Sequence, residues 1–187
     1  SDAVRKLMRK AKGRAIASGS TVGPGSVLDD RYEVEAQLGE GGFGVVFRGR
    51  DRQTGNPVAI KVLHDEKESE VVKVRMIREA HALRQLAGTC AVGIYDLAVT
   101  PAGKVYLVME LLDGCDLKDH VERVEAEGRR LRVSEIEHLM GPVVGTLKAA
   151  HELGIIHRDL KPGNIFVQRH GDTTRPRLLD FGWVQDV

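Results

Sequence analysis

No stretch of this 187-residue chain approaches the roughly 20 consecutive apolar residues that a membrane-spanning helix needs, and its basic opening residues lack the apolar core of a signal peptide. Cysteine is scarce. Cys90 and Cys115 alone make no disulfide framework and read as free thiols, which places the chain in a reducing cytoplasm. Charge of one sign is lacking too: 28 Lys and Arg stand against 27 Asp and Glu, so nothing in the balance supports a nucleic-acid surface. His64, His81, His120, His138, His151 and His170 form no H-E-x-x-H and no Cys/His ligand spacing, which leaves no transition-metal site to propose. What remains, 42% hydrophobic and 29% charged residues, is the composition of a folded domain long enough to bury its own core.

Residues 1–30 differ from the rest. Arg5, Lys6, Arg9, Lys10, Lys12 and Arg14 alternate with Val4, Leu7, Met8, Ala11 and Ala15 at the spacing of one helical face. That describes a basic amphipathic helix, either a solvated extension or an element for an acidic membrane surface or a partner. Gly19, Gly23, Pro24 and Gly25 then read as a connector, and the folded part is expected from about Arg31.

From Tyr32 the pattern is that of strands. Tyr32, Val34 and Leu38 lead into Gly39-Glu40-Gly41-Gly42-Phe43-Gly44, and Val45-Val46-Phe47 follows before a turn at Asp51 to Asn56. An isolated G-x-G-x-x-G fits a dinucleotide-binding fold only when a helix follows it; the residues after Gly44 are a poor helix start and a plausible strand, so the hairpin reading wins. A third strand, Val58 to Leu63, carries Lys61 between apolar neighbours. Glu66 to Leu86 reads as a helix with Val72, Ile77, Ala80, Leu83 and Leu86 turned inward, and Gly93–Leu97 and Lys104–Leu111 as two further strands around Pro101-Ala102-Gly103.

Beyond residue 112, Leu117 to Glu127 suggests a short helix. Ser134-Glu135-Ile136-Glu137 has the form of a capping box opening a long helix, interrupted at Gly141-Pro142 by an expected kink or displaced first turn and stopped near Gly154. Two polar motifs follow: His157-Arg158-Asp159-Leu160-Lys161-Pro162-Gly163-Asn164 and, sixteen residues after Asn164, Asp180-Phe181-Gly182, joined by the hairpin-like Ile165-Phe166-Val167 and Arg177-Leu178-Leu179. Taken together, the glycines offer backbone amides to phosphate, Lys61 a fixed cation, Asp159 a proton acceptor, and Asn164 with Asp180 two oxygen ligands suited to magnesium, which are the parts needed to move a phosphoryl group.

These residues resemble the eukaryotic-type (Hanks-type) serine/threonine protein kinases, in a style similar to bacterial members. The resemblance covers residues 32 to 187 and implies an α+β bilobal fold. Residues 31–112 would form a five-stranded antiparallel lobe with one helix and the hinge, and residues 113–187 the first part of a mainly helical lobe. The family pattern would continue past Val187 into an activation segment and further helices, so the chain reads as a truncated catalytic domain whose long helix would need cover from a second copy or a partner.

The resemblance further implies ATP and Mg2+ as cofactors and a protein Ser/Thr hydroxyl as acceptor. Glu79, in Arg78-Glu79-Ala80-His81, would pair with Lys61, and Lys161 would neutralise the transferring phosphoryl. Leu38, Val46, Ala59, Met109 and Phe166 would wall the adenine, with Gly39, Gly41, Gly42, Phe43 and Gly44 over the phosphates. Backbone groups of Glu110 and Leu112 would read the base, and Asp116 would meet the ribose. Asp-x-Lys in the catalytic loop is the serine/threonine form. The resemblance also implies an apolar column of Leu83, His157 and Phe181, a phosphoresidue partner for Arg158, and, from Trp183, serine over threonine. Two rival readings stand beside this one: a kinase-like module that holds ATP without turnover, and an NAD-binding oxidoreductase resting on the glycines alone.

Overall fold

The computed structural model describes residues 22–41, 44–63, 70–100, 103–171 and 173–179. The basic N-terminal helix expected within residues 1–21, Gly42 and Phe43, the first residues of the Glu66 helix, Pro101-Ala102 and the whole Asp180-Phe181-Gly182-Trp183 motif lie outside them. The chain forms two compact units, one ending at Ala80 and resuming over Ile94–Leu111, the other comprising His81–Gly93 and the residues from Leu112 on.

The first unit is built on a sheet of β1 (Val27–Leu28), β2 (Tyr32–Gly41), β3 (Gly44–Asp51), β4 (Pro57–Leu63), β5 (Ile94–Val99) and β6 (Val105–Glu110), in the order β1-β2-β3-β4-β6-β5. Five of these strands are the ones the hydrophobic pattern marks. The sixth, β1, is too short to leave a pattern; it pairs Val27 with Glu33 and Leu28 with Tyr32. Just before it, Gly25 donates to the Val34 carbonyl (2.8 Å) and Ser26 accepts from the Val34 amide (2.9 Å), so part of the glycine-rich connector is hydrogen-bonded to the sheet.

Alternation along the strands gives the sheet two apolar faces. On one, Tyr32, Val34, Phe47, Val58, Ile60, Val62, Tyr106 and Val108 form a core, with Tyr32 and Tyr106 edge to face at 6.4 Å. Each phenol finds an acid at the rim: Tyr32 donates to Asp96 (3.1 Å) and Tyr106 to Asp29 (2.6 Å). On the other face Leu63, Val105 and Leu107 meet Met76 and Ala80 of helix α1 (Glu70–Gln85). Of the inward residues expected of this helix, Ile77, Ala80, Leu83 and Leu86 are buried, and the side chain of Val72 lies outside the described residues; at about 1.5–3 kcal/mol for each large apolar side chain removed from water, packing rather than helix propensity holds it.

The second unit holds α2 (Leu117–Ala126), α3 (Val133–Glu152) and a small sheet of β7 (Gly114–Asp116), β8 (Ile165–His170) and β9 (Thr173–Leu178). Strand β7 is absent from the pattern reading because three residues are too few to show alternation. It depends on Gly114, at φ +150°, where an added Cβ would collide with the Val167 carbonyl.

Two expectations for α3 need correction. The residue capping its start is Arg132, and Glu135, not Glu137, reaches back to the Arg132 amide (2.8 Å). The basic loop decides this. Arg129 and Arg132 both donate to Glu135 at 3.1 Å, and with the Arg132 amide as the largest cause they hold its carboxyl down at about 2. Of the two outcomes expected at Gly141-Pro142, a kink or a displaced first turn, the second does not occur: the helix runs unbroken for 20 residues. Gly141 before the proline has no Cβ to meet the pyrrolidine ring, which relieves the usual penalty on a pre-proline residue in helical conformation. The C-terminus is as expected. Gly154, at φ +72°, donates to His151 O (3.0 Å) and Ile155 to Ala150 O (2.8 Å), a Schellman motif.

Candidate active site

In the first unit the glycine segment is a hairpin. Gly39 pairs with Val46, Glu40 with Val45 and Gly41 with Gly44, after register shifts between Val34 and Ala36 and between Gln37 and Gly39. The residues after Gly44 form a strand, not the helix a dinucleotide-binding fold requires, so the oxidoreductase reading falls. The glycines differ in what demands them. A Cβ on Gly44 would strike the Val62 carbonyl, whereas one on Gly39 or Gly41 would meet nothing within 4 Å. Strand packing explains Gly44. At Gly39 and Gly41 the chain leaves an open cradle that a Cβ would begin to fill, which suits backbone amides approached by phosphate.

Register gathers four other expected residues. Val46 lies opposite Lys61 and Ala59 opposite Met109, so all four share the sheet face that carries α1. Leu38, beside the second register shift, is 54% exposed. Glu79, one of the few buried acids at 6% exposure, comes from α1 to meet Lys61, with Oε1 and Nζ 3.4 Å apart. Burial makes this pair consequential: removing either partner strands a charge in a poorly solvated place, at a cost of about 3–5 kcal/mol.

In the second unit Asp116 caps α2, its Oδ1 accepting from the Asp119 amide at 2.9 Å. The other carboxylate oxygen is the one that could meet a ribose hydroxyl. This capping role was missed in the sequence, although Asp116 three residues before Asp119 at a helix start is its ordinary signal. Phe166 lies directly opposite Asp116 across β7 and β8. Leu112 is half-buried just before β7.

The loop from His157 to Asn164 is tied at both ends. His157, 2% exposed, donates Nε2–H to the Leu179 carbonyl (3.1 Å), and the Leu179 amide donates to Asn164 O (2.8 Å). Pro162 opens a one-turn 3-10 helix, Pro162–Asn164, as its fixed φ favours. Arg158 sits at φ +60°, a left-handed conformation that costs a side-chain-bearing residue about 1–2 kcal/mol and that turns the chain into Asp159.

Around Asp159, Lys161 donates Nζ–H to Oδ2 (2.8 Å), and the buried Asn164 donates Nδ2–H both to Asp159 O (2.7 Å) and to its Oδ2 (3.1 Å). The Lys161 hydrogen bond, partly opposed by desolvation and assisted by Asn164, holds the Asp159 carboxyl below the usual carboxylate range. The side chain is therefore an ionised acceptor at neutral pH, fixed in orientation and 38% exposed. With its amide nitrogen committed to Asp159, Asn164 has its Oδ1 left as an oxygen donor for a hard cation, which fits magnesium chemistry. The expected second ligand, Asp180, lies outside the described residues; among those described, no cluster of three or more His, Cys, Asp or Glu forms a metal site.

The lysine–glutamate pair behind a glycine hairpin, together with an aspartate held by a lysine two residues on and an asparagine five residues on, defines a protein kinase domain. The family model for the protein kinase domain matches residues 32–187, and the chain belongs to that family. Among its relatives, the DNA damage-responsive serine/threonine-protein kinase RqkA of Deinococcus radiodurans is 38% identical over 172 residues, covering 86% of this chain and 23% of that kinase. Serine/threonine-protein kinase Pkn1 of Myxococcus xanthus is 38% identical over 154 residues, 81% of this chain and 21% of its own length. For serine/threonine-protein kinase PknL of Mycobacterium tuberculosis the figures are 35% over 163 residues, 87% and 39%. The chain thus spans between about a fifth and two-fifths of these curated relatives.

Proposed function

We propose that this chain is the ATP-handling part of a serine/threonine protein kinase and that its residues transfer the γ-phosphoryl of ATP to a protein hydroxyl. The observation that carries this reading is the Asp159 carboxylate, kept ionised and aimed by Lys161 and Asn164. ATP with magnesium supplies the phosphoryl group and the charge neutralisation it needs. Lys61, steadied by Glu79, holds phosphate oxygens; the amides at Gly39 and Gly41 receive them; Val46, Ala59 and Met109 offer an apolar surface to adenine on the same sheet face. Gly42, Phe43, Leu38, Glu110, Leu112, Asp116 and Phe166 complete the nucleotide set, and Asn164 with Asp180 forms the metal pair. Asp159 accepts the hydrogen bond of the incoming hydroxyl and takes its proton as the new oxygen–phosphorus bond forms and the bond from the γ-phosphorus to the bridging oxygen breaks, ADP leaving with that oxygen, while Lys161 neutralises the transferring phosphoryl. A domain boundary near residue 112 and a role for residues 1–30 as an extension belong to the same proposal.

The test is transfer from γ-labelled ATP to a serine/threonine peptide by this chain, compared with its Asp159→Asn variant. Transfer that falls by 10² or more in the variant with nucleotide binding retained supports the reading. ATP–magnesium binding with no transfer by either would favour the module that holds nucleotide without turnover.

A further inference from the structure

Within the second unit, the backbone of Leu178 and Leu179 is gripped from two sides. On one, the Leu178 amide donates to Cys90 O (2.8 Å) and the Val92 amide donates to Leu178 O (3.0 Å), a parallel bridge with Ala91 at its centre. On the other, the Leu179 amide donates to Asn164 O (2.8 Å) and the His157 ring donates to Leu179 O (3.1 Å). The segment 88–92 therefore bears on both ends of the catalytic loop through two adjacent residues, the first of them fully buried.

A threonine on α3 fixes that segment in turn. Thr146 is 1% exposed, and its Oγ1 accepts from the Cys90 amide at 3.1 Å. The proton of the hydroxyl lies within reach of the Pro142 carbonyl (3.0 Å) and of Cys90 Sγ (3.1 Å). The first is the bond a helical threonine makes to the residue four before it, and it leaves the oxygen lone pairs for the Cys90 N–H. Burial pushes the Cys90 thiol up, so the sulfur stays neutral and a weak acceptor, and the contact between hydroxyl and amide is the stronger of the two. Thr89 stiffens the same turn: its Oγ1 donates to Leu86 O (2.7 Å) and accepts from the Ala91 amide (3.2 Å), one bond on either side of Cys90. An apolar side chain in place of Thr146 would present the Cys90 amide with a methyl group where it now has an acceptor, and an unmet amide is a reason for a backbone segment to move.

We propose that Thr146 is a positioning residue for phosphoryl transfer. By holding the Cys90 amide it sets segment 88–92 against Leu178; through Leu179 it sets His157 and Asn164; and Asn164 aims the Asp159 carboxylate. Leu179 is also the residue before Asp180 in the sequence, so the same tie bears on both members of the proposed metal pair. The inference rests on the proposed role of Asp159 as proton acceptor, and Thr146 acts on it only through these ties.

The experiment compares Thr146→Val, Thr146→Ala and Thr146→Ser with the native chain in transfer from γ-labelled ATP and in amide hydrogen exchange read by NMR. Val keeps the shape and loses the acceptor, and Ala, which cannot overpack, covers the case in which Val does not fold. Both should lower kcat at least fivefold with KM for ATP within twofold of the native value, the signature of misplaced chemistry rather than weakened binding. Both should speed exchange at the Leu178 and Leu179 amides at least tenfold while the β3 amides of the first unit keep their native rates. Ser, which restores the hydroxyl, should return kcat and exchange to within twofold of native. Native kcat in Val and Ala, an equal loss in Ser, a rise in KM in place of the fall in kcat, or exchange that quickens alike in both units would overturn the proposal. Transfer by the native chain with variants indistinguishable from it sinks this inference alone; no transfer by the native chain sinks the proposed function and this inference together.

Discussion

Asn164 donates its Nδ2 to two atoms of Asp159 at once, the backbone carbonyl at 2.7 Å and the carboxylate at 3.1 Å. The amide thereby fixes the orientation of Asp159, and under the proposed function its remaining oxygen would serve as a magnesium ligand. Substitution should separate these tasks poorly. Asn164→Ala loses both and leaves Asp159 less constrained, and Asn164→Asp also sets a second carboxylate against the first. Both variants should lose 10²-fold or more in kcat, with Asn164→Asp additionally raising the pH at which Asp159 takes up a proton, as read by isotope-edited NMR of the carboxylate.

Lys161 governs the acid side of that titration. Its hydrogen bond is the largest cause of the depressed Asp159 pKa. A group whose folded-state pKa is lowered contributes stability above its unfolded value and loses it as pH falls through the folded one. In the native chain, phosphoryl transfer should therefore hold steady as pH drops through the ordinary carboxylate range and fail only below it. Lys161→Met should shift the acid limb of the rate profile to higher pH. An unshifted limb would mean that another group sets it.

The glycines of the β2–β3 hairpin should respond unequally. Gly44→Ala places a Cβ against the Val62 carbonyl and should lower thermal stability by a cost in the ordinary range for a steric core substitution, about 1–3 kcal/mol. Gly41→Ala meets open space and should leave the melting temperature unchanged while weakening ATP binding several-fold. Calorimetric melting and nucleotide titration on both variants distinguish packing from ligand approach.

Helix α3 supplies a paired control on stability. Gly154 occupies the left-handed position of the Schellman motif at φ +72°, so Gly154→Ala should destabilise by about 1–2 kcal/mol. At Gly141 an added Cβ meets nothing beyond its chain neighbours within 4 Å but faces the Pro142 ring, so the roughly 0.5–1 kcal/mol of backbone entropy that Ala recovers is offset by the pre-proline clash, and Gly141→Ala should not stabilise. Denaturant midpoints measure both.

Long alternating strands and a long apolar helix are legible in the sequence because periodicity declares them: β2, β3, β4, β5 and β6 stand where the pattern puts them, and the family resemblance marks Glu79 as the partner of Lys61, 3.4 Å away. What escaped was short or decided by competition. Strands β1 and β7 are two and three residues long. The capping box moved from Glu137 to Glu135 because two arginines of the preceding loop outcompete the local Ser-x-x-Glu signal, and Pro142 failed to displace α3 because the residue before it is glycine. The capping role of Asp116 also escaped: one oxygen of its carboxylate accepts from the Asp119 amide at the start of α2. The tie from Thr146 through Cys90 to Leu178 has no sequence signature, since it joins three separated segments that only the fold assembles.

The lysine–glutamate pair gives the nucleotide assignment its own check. Glu79→Gln keeps the shape but removes the countercharge that steadies a Lys61 ammonium only 14% exposed. Weaker ATP–magnesium binding, about tenfold, with a lowered melting temperature is the expected result by calorimetry and thermal melting.

The most direct test remains phosphoryl transfer itself, followed by phosphoamino-acid analysis of a peptide carrying serine, threonine and tyrosine. The account predicts label from γ-labelled ATP on serine or threonine, none on tyrosine, and a loss of at least 10²-fold with Asp159→Asn while ATP binding persists. Undiminished labelling by Asp159→Asn, or label confined to tyrosine, would contradict it.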